Sequence, residues 1–169
     1  MLKKISIKKI CLGAILVALT YVCTMFISIP LSSSGYINLS DFFIVLTTLA
    51  IDPTVGLLVA IIAPALADLT LGYYIYIGFT VISKALEWFL CYLIFYKIKG
   101  NIKYLLAFIP GVAMALVYFI PDIIVLGKEN YITCLINVLF NSLQGIVGMI
   151  LGLALNKVFT KLDIKSRLV

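Results

Sequence analysis

Long apolar runs separated by short polar connectors follow one another along the whole chain. Most runs are close to the roughly 20 residues that a helix needs to cross the hydrocarbon core of a bilayer. The pattern predicts an all-α integral membrane protein with six transmembrane helices, at about residues 7–29, 38–51, 54–71, 75–96, 103–126 and 131–159. Because only short connectors remain, we expect a single membrane domain over residues 1–169.

Prolines and glycines mark several ends of these runs. Pro30 stops the first run, and Asp52-Pro53 forms a turn with the proline at the first turn of the next helix. Pro64 lies inside the third run, where it predicts a kink or a break whose backbone groups are satisfied locally. The connector Leu31–Ile37 is polar and is expected to be a loop. The first run continues to Ile29 without a small-residue cleavage site, so we expect an uncleaved helix rather than a signal peptide.

Composition and charge give these helices an orientation. Hydrophobic residues make up 64% of the chain, against about 45–50% in soluble domains. Eleven of the 13 basic residues lie at the two ends of the chain and in the connector between the fourth and fifth runs: Lys3, Lys4, Lys8, Lys9, Lys97, Lys99, Lys103, Lys157, Lys161, Lys165 and Arg167. The positive-inside rule therefore places both termini in the cytoplasm. Since these residues flank apolar segments, the net charge of +6 does not indicate a nucleic-acid partner.

Polar residues, which are energetically unfavourable inside a membrane, lie mainly in the opposite, outer half of the predicted bundle. Helical spacing places them on one face each of the fourth, fifth and sixth runs: Thr80, Lys84 and Glu87 with Trp88 alongside, then Tyr118 and Asp122, then Asn137, Asn141 and Gln144. Intramembrane polar groups usually face a bundle interior or a wet cavity. Such residues can also serve only to bond one helix to another. Their restriction to one side of the membrane favours an outward-facing pocket for a small molecule.

Several other classes of function lack their usual residues. The sequence has no histidine, and its four cysteines, Cys11, Cys23, Cys91 and Cys134, form no close pair. We therefore expect no metal site, no cofactor and no enzymatic activity. The main alternative from the residues is an autonomous secondary transporter or channel, in which Lys84 among acidic groups would serve proton coupling.

The chain resembles the substrate-binding (S) component of an energy-coupling factor (ECF) vitamin transporter over essentially its whole length. The similarity rests on Gly35-Tyr36 with Leu39 and Asp41, on Ala67-Asp68-Leu69 followed by Gly72-Tyr73, and on Thr80 with Lys84. Ala14 and Ala18 resemble the first-helix motif that such proteins use against their membrane coupling subunit. Ile62-Ala63-Pro64 departs from the family pattern, where glycines are common.

The resemblance implies a division of labour. The chain would bind a vitamin in a pocket built from the first loop and the fourth to sixth helices, and a coupling subunit with two ATPase subunits would supply the energy in the bacterial cytoplasmic membrane. The sequence has no phosphate-binding loop of its own, which agrees with a need for partners. The ligand class stays open between pyridoxine-like or hydroxymethylpyrimidine-like compounds and riboflavin-like ones.

The predicted substrate-binding residues combine the polar faces with the tyrosines near them: Tyr36, Asn38, Tyr74, Thr80, Lys84, Glu87, Trp88, Tyr118, Asp122, Asn137, Asn141 and Gln144. Among them, Lys84 is expected to pair with an anionic or hydrogen-bonding group of the ligand and Glu87 to accept a donor. Trp88 and Tyr118 are expected to stack on a flat heterocycle. The three amides are expected to bond its ring nitrogens or hydroxyls. Alanine at Lys84 or Asn141 is expected to weaken binding well over tenfold.

Overall fold

The computed structural model describes residues 7–31 and 35–163. The basic residues Lys3, Lys4, Lys165 and Arg167 and connector positions 32–34 lie outside the described residues. The long helices are α1 (Ile7–Phe26), α3 (Pro53–Leu71), α4 (Tyr76–Lys97), α6 (Ile109–Leu126) and α7 (Tyr131–Lys161). Between them lie α2 (Ser40–Leu46), which continues as a π-helical turn (Thr47–Ile51), a short α5 (Ile102–Leu105), and two 3₁₀ turns (Leu106–Phe108 and Lys128–Asn130).

The prediction of an all-α membrane protein is confirmed. Within the described residues, five helical stretches are long and apolar enough to cross a membrane, and Ser40–Ile51 is a shorter apolar helix. The fifth predicted run corresponds to one helical stretch, Ile102–Leu126, in which a 3₁₀ turn joins α5 to α6 and Pro110 lies in the first turn of α6. The third predicted run is a continuous helix, since α3 passes through the buried Pro64 without interruption.

Local sequence explains where α3 begins and ends. The side chain of Asp52 accepts a hydrogen bond from the backbone N–H of Thr54 at 2.9 Å, and Pro53 occupies the first position of the helix. At the other end, Gly72 adopts φ 84°, the left-handed conformation that ends many helices. The sequence-based turn at Asp52-Pro53 therefore corresponds to a capped helix start.

The connector that follows α1 contains a small hairpin rather than only a loop. Strands β1 (Ile29–Pro30) and β2 (Tyr36–Ile37) pair antiparallel, with Ile29 opposite Ile37. Two-residue strands are too short to give an alternating pattern, so the sequence carries no signal for them. The hairpin brings Tyr36 to the outer end of the bundle.

Five helices form a closed ring, and α1 lies outside it. Going round the ring, α2 contacts α3, α3 contacts α4, α4 contacts α6, α6 contacts α7, and α7 returns to α2. Helix α1 packs mainly on α3 and buries Gly13, Thr20 and Thr24, while Ala14 and Ala18 are exposed on its opposite side. The short α2 is buried along most of its length.

Small residues on α7 let α2 approach it closely. A Cβ atom at Gly148 would come within 2.6 Å of the Cβ of Asp41, and one at Gly152 within 2.6 Å of a methyl group of Val45. Any larger residue at either position would push the two helices apart. This contact holds Asp41 against the polar face of α7.

Candidate substrate-binding site

A polar cavity lies in the outer half of the bundle, between the hairpin and the ends of four helices. The sequence places its lining at the C-terminal end of α3, the N-terminal end of α4, the C-terminal half of α6 and the N-terminal half of α7. Its wall is formed by Gly35, Tyr36, Asn38, Pro64, Asp68, Tyr73, Tyr76, Thr80, Tyr118, Asp122, Asn141 and Gln144. The cavity measures about 30 Å³, which is room for about two water molecules.

Asp68 is the centre of the first group of hydrogen bonds in this wall. One of its carboxylate oxygens accepts from the Tyr36 hydroxyl at 2.8 Å, and the other accepts from Thr80. Thr80 in turn accepts from the Tyr118 hydroxyl at 3.1 Å. Burial, followed by the charge of Asp68, raises the pKa of Tyr36, so its hydroxyl stays protonated and donates. Four elements are thereby tied together around one carboxylate.

Asp122 is the centre of the second group, on the other side of the cavity. It accepts from the Tyr76 hydroxyl at 2.7 Å and from the side-chain amide of Asn137 at 3.1 Å. These bonds join α4, α6 and α7. Both aspartates are almost fully buried, with 4% exposure for Asp68 and 2% for Asp122.

Asn141 differs from its neighbours because its side chain lines the cavity without a hydrogen-bond partner among the described residues. Only 9% of the residue is exposed, and no hydrogen bond joins its amide to the part of the chain that the structure describes. A buried amide normally has a hydrogen-bond partner, since leaving one unpaired costs about 1–3 kcal/mol. Asn141 therefore offers both a donor and an acceptor to a molecule in the cavity.

Tyrosines cover the outer side of the cavity. The rings of Tyr36 and Tyr73 lie 5.1 Å apart between centroids, and Tyr73 meets Tyr76 edge to face at 6.0 Å. The Tyr73 hydroxyl lies 3.5 Å from the backbone oxygen of Gly35. The hairpin and the α3–α4 connector therefore close over the site together.

A second cluster of charges lies deeper, around Lys84. Its ammonium group donates to Asp41 and lies 3.6 Å from a carboxylate oxygen of Glu87. Asp41 also accepts from the side-chain amide of Gln144, whose oxygen accepts from the backbone N–H of Asn38 at 2.8 Å. Lys84 and Asp41 are 1% exposed and Glu87 is 0% exposed. Lys84, Asp41 and Glu87 form a sealed floor that is not part of the cavity wall, whereas Gln144 and Asn38 also line the cavity.

The predicted site residues divide between these places. Seven of them line the cavity: Tyr36, Asn38, Thr80, Tyr118, Asp122, Asn141 and Gln144. Asn137 lies behind the wall, where it holds Asp122. Tyr74 is 67% exposed on the surface. Lys84 pairs with Asp41 in the floor cluster, and Glu87 lies 3.6 Å from its ammonium group with neither carboxylate oxygen hydrogen-bonded within the described residues.

The position of Trp88 does not support the predicted stacking on a ligand. Its indole N–H donates to the backbone oxygen of Pro53 at 2.9 Å, toward the cytoplasmic end of α3. Its ring stacks on Tyr92, with centroids 5.9 Å apart. The physical reason is the helical turn of about 100° per residue, which directs Trp88 away from the face that carries Glu87.

The cavity also contains residues that were not among the predicted ones. Asp68 could have been proposed from its place at the outer end of the third apolar run, but a carboxylate there is equally suited to a structural ion pair. Tyr73 and Tyr76 lie where tyrosines often form an interfacial belt, so composition alone does not separate the two roles. Pro64 has no polar group, and nothing in the sequence indicates that it lines a cavity.

A family model described as the ECF-type riboflavin transporter, S component, matches residues 4–161, which is nearly the whole chain. No curated protein matches it.

Proposed function

The chain belongs to the family of ECF-type riboflavin transporter S components and is a multi-pass membrane protein, and from that premise we propose that it captures a small water-soluble vitamin or precursor from outside. It would deliver this ligand inward together with a membrane coupling subunit and two ATPase subunits in the bacterial cytoplasmic membrane. The ligand would be riboflavin-like or of the smaller pyridoxine or hydroxymethylpyrimidine type.

The unpartnered amide of Asn141 is the observation that carries this proposal. It is buried, it lines a polar cavity in the outer half of the bundle, and it has no hydrogen bond to the described chain. A residue that only joined helices would have its partner within the protein. A ligand with a ring nitrogen, carbonyl or hydroxyl would supply that partner.

The surrounding side chains suit a flat, hydroxylated heterocycle. Tyr36, Tyr73, Tyr76 and Tyr118 supply aromatic surface, and the aspartates and amides supply hydrogen bonds. With a volume of about 30 Å³, the cavity is far below the roughly 300–1,000 Å³ of ordinary ligand pockets. Binding therefore requires the walls to separate, and the Tyr36–Tyr73 contact is the one that covers the outer side.

Helix α1 offers a surface for the coupling subunit. Ala14 and Ala18 are one helical turn apart, exposed, and on the side of α1 that faces away from α3. Small residues at this spacing allow two helices in a membrane to approach closely. We assign the contact with the coupling subunit to this face, because no other helix of the described chain covers it.

Binding and uptake measurements on the purified chain test the proposal. Mass spectrometry of co-purifying compounds identifies the ligand, and quenching of riboflavin fluorescence or calorimetry with pyridoxine measures its affinity. Tight binding, without uptake into liposomes that lack the ATPase and coupling subunits, is the expected result. Uptake by the chain alone would instead establish an autonomous transporter, and the absence of any bound vitamin would contradict the proposal.

A further inference from the structure

A groove lies at the cytoplasmic end of the bundle, where the end of α4 and the short α5 meet the last turns of α7. It has a volume of about 280 Å³, close to the roughly 300 Å³ at which pockets for small molecules begin. None of its lining residues lines the polar cavity in the outer half of the bundle. The groove is therefore a separate space with its own chemistry.

Three hydrogen-bond donors with unused capacity line this groove. The ammonium groups of Lys103 and Lys157 form no ion pair within the described residues, and the side-chain amide of Asn156 has no hydrogen-bond partner there. The Lys103 ammonium lies 5.4 Å from the centroid of the Tyr104 ring. The groove thus presents two cations and an amide to a molecule that enters it.

The acidic residues at this end of the described chain lie outside the groove. They are Asp52 and Asp163, and Asp52 pairs with Lys9 at 2.8 Å. The positive-inside rule accounts for lysines at the cytoplasmic end. It does not require lysines from two different helices to line one groove together with an amide, and this convergence is typical of a site for an anion.

The inner wall of the groove is apolar. Leu49, Phe95 and Leu153 line it and pack against the buried core between α2, α4 and α7. The Phe95 ring meets that of Tyr104 edge to face, with 6.1 Å between the centroids. An occupant that covers this wall must have an apolar part as well as a negative charge.

The depth of the groove matches the headgroup region of the cytoplasmic leaflet. Lys157 lies one turn before α7 ends at Lys161, and Lys103 lies in the short helix that follows the cytoplasmic connector. Tyr96 and Tyr104 also line the groove and are 42% and 51% exposed, as is typical of tyrosines at a membrane interface. A molecule bound here can hold its charge at the water boundary and its apolar part in the bilayer.

From this combination we propose that the groove binds the headgroup of an anionic phospholipid. Lys103 and Lys157 pair with the phosphate oxygens, and Asn156 donates to a phosphate or glycerol oxygen. The apolar wall takes the glycerol backbone and the first acyl carbons. A soluble phosphate ester has the same charged group but would leave this wall uncovered, whereas basic pockets between helices on the cytoplasmic side suit lipid headgroups. The proposal goes beyond vitamin capture and does not depend on it.

Two lipids with the same acyl chains test the proposal on the purified full-length chain in detergent. Native mass spectrometry measures the affinity for dioleoyl phosphatidylglycerol, which is anionic, and for dioleoyl phosphatidylcholine, which is zwitterionic. We expect the anionic lipid to bind at least tenfold more tightly. Equal affinity would overturn the proposal. Glycerol 3-phosphate, added as a competitor without acyl chains, is expected not to displace the lipid, and displacement would overturn the assignment to a lipid.

A matched pair of double variants separates the groove from the general charge of this end. Lys103→Gln with Lys157→Gln is expected to lower the affinity for phosphatidylglycerol at least tenfold. Lys99→Gln with Lys161→Gln removes the same charge from exposed positions outside the groove lining and is expected to change the affinity less than twofold. An equal loss in both folded variants would show attraction to the surface as a whole and overturn the site.

Asn156→Asp tests the site with both lysines in place. It adds a negative charge at nearly the same size and is expected to remove the preference for phosphatidylglycerol over phosphatidylcholine. Thermal unfolding confirms that each variant folds. An unchanged preference in the folded variant would overturn the placement of the headgroup beside Asn156.

Discussion

The cavity and the sealed floor beneath it are built from similar residues, yet they differ in what is left unpaired. Both contain buried aspartates held by donors from neighbouring helices. In the cavity, Asn141 has no partner in the described chain, and aromatic side chains cover the space in front of it. In the floor, Asp41 accepts hydrogen bonds from Lys84 and Gln144. The carboxylate oxygens of Glu87 have no hydrogen-bond partner among the described residues, but Glu87 lies beside Lys84 and does not line the cavity.

This difference shows how a binding residue can be distinguished from a structural one inside a membrane. Polarity alone does not separate them, because both groups are polar and lie in the same half of the bundle. What does separate them is whether a side chain with an unused hydrogen-bond donor or acceptor faces the cavity. The floor fixes the relative positions of α2, α4 and α7, and the cavity lies between the outer parts of α4 and α7, which the floor holds in place, and those of α3 and α6.

Removal of the floor cation is expected to have the largest effect. Lys84→Met leaves Asp41 and Glu87 without their cation, and breaking a buried ion pair in this way typically costs about 3–5 kcal/mol. We expect a large fall in the thermal unfolding temperature in detergent. The double variant Lys84→Met with Asp41→Asn should recover at least half of the loss, because it removes one uncompensated charge. A single variant as stable as the wild type would contradict the structural role of the floor.

The cavity is expected to respond in the opposite way. Asn141→Ala should weaken binding of the co-purified vitamin more than tenfold, which corresponds to about 1.4 kcal/mol. It should leave the unfolding temperature nearly unchanged, because the amide has no partner in the described chain to lose. Asn156→Ala, at the cytoplasmic end of the same helix, is the matched control and should not change affinity. If Asn141→Ala lowered the stability but not the affinity, Asn141 would be a structural residue and not a binding residue.

Trp88 tests the boundary of the site. Trp88→Phe keeps an aromatic ring but removes the hydrogen bond to Pro53, which is worth about 1 kcal/mol. We expect a small loss of stability and an affinity within twofold of wild type, measured on the same samples by unfolding and by calorimetry. A tenfold loss of affinity would restore the stacking role that the sequence suggested.

A partly exposed ion pair on the cytoplasmic side gives the smallest effect. Lys9 and Asp52 lie 2.8 Å apart. Partial burial favours a higher pKa for Asp52, but the hydrogen bonds from Lys9 and Thr54 outweigh it and lower the pKa below its ordinary value of 3.8. Lys9→Met should therefore cost less than about 1 kcal/mol, as is usual for exposed pairs.

The pH dependence of that variant has a defined sign. A carboxyl group with a lowered pKa in the folded state contributes stability above its unfolded pKa and loses that contribution as the pH falls through the folded value. The difference between wild type and Lys9→Met should thus be constant above about pH 5, decrease as the pH falls past the unfolded value of 3.8, and disappear only below the lower pKa of the folded state. A difference that grew in acid would contradict the pairing.

Sequence predicted the helices well because apolar length is a local property. The same holds for the face that Asn141 and Gln144 share, since helical spacing fixes it within one helix. The partner of Lys84 could not be predicted, because Asp41 lies 43 residues away on another helix and a helical face does not say which neighbour it meets. The hairpin at Tyr36 was missed for a similar reason, since its strands are too short to have a periodicity of their own.

The placement of Asp41 also has a consequence for the order in which the chain can assemble during synthesis. Its partners Lys84 and Gln144 follow 43 and 103 residues later in the sequence. A short helix that carries a carboxylate is a poor independent span in lipid, whereas α1, with 20 apolar-rich residues, can insert alone. Helix α2 must therefore wait at the translocation machinery or the membrane surface until α7 has been made. In ribosome-bound chains that end before Gln144, a cysteine introduced into α2 should react with water-soluble cysteine reagents, and in complete chains it should be protected.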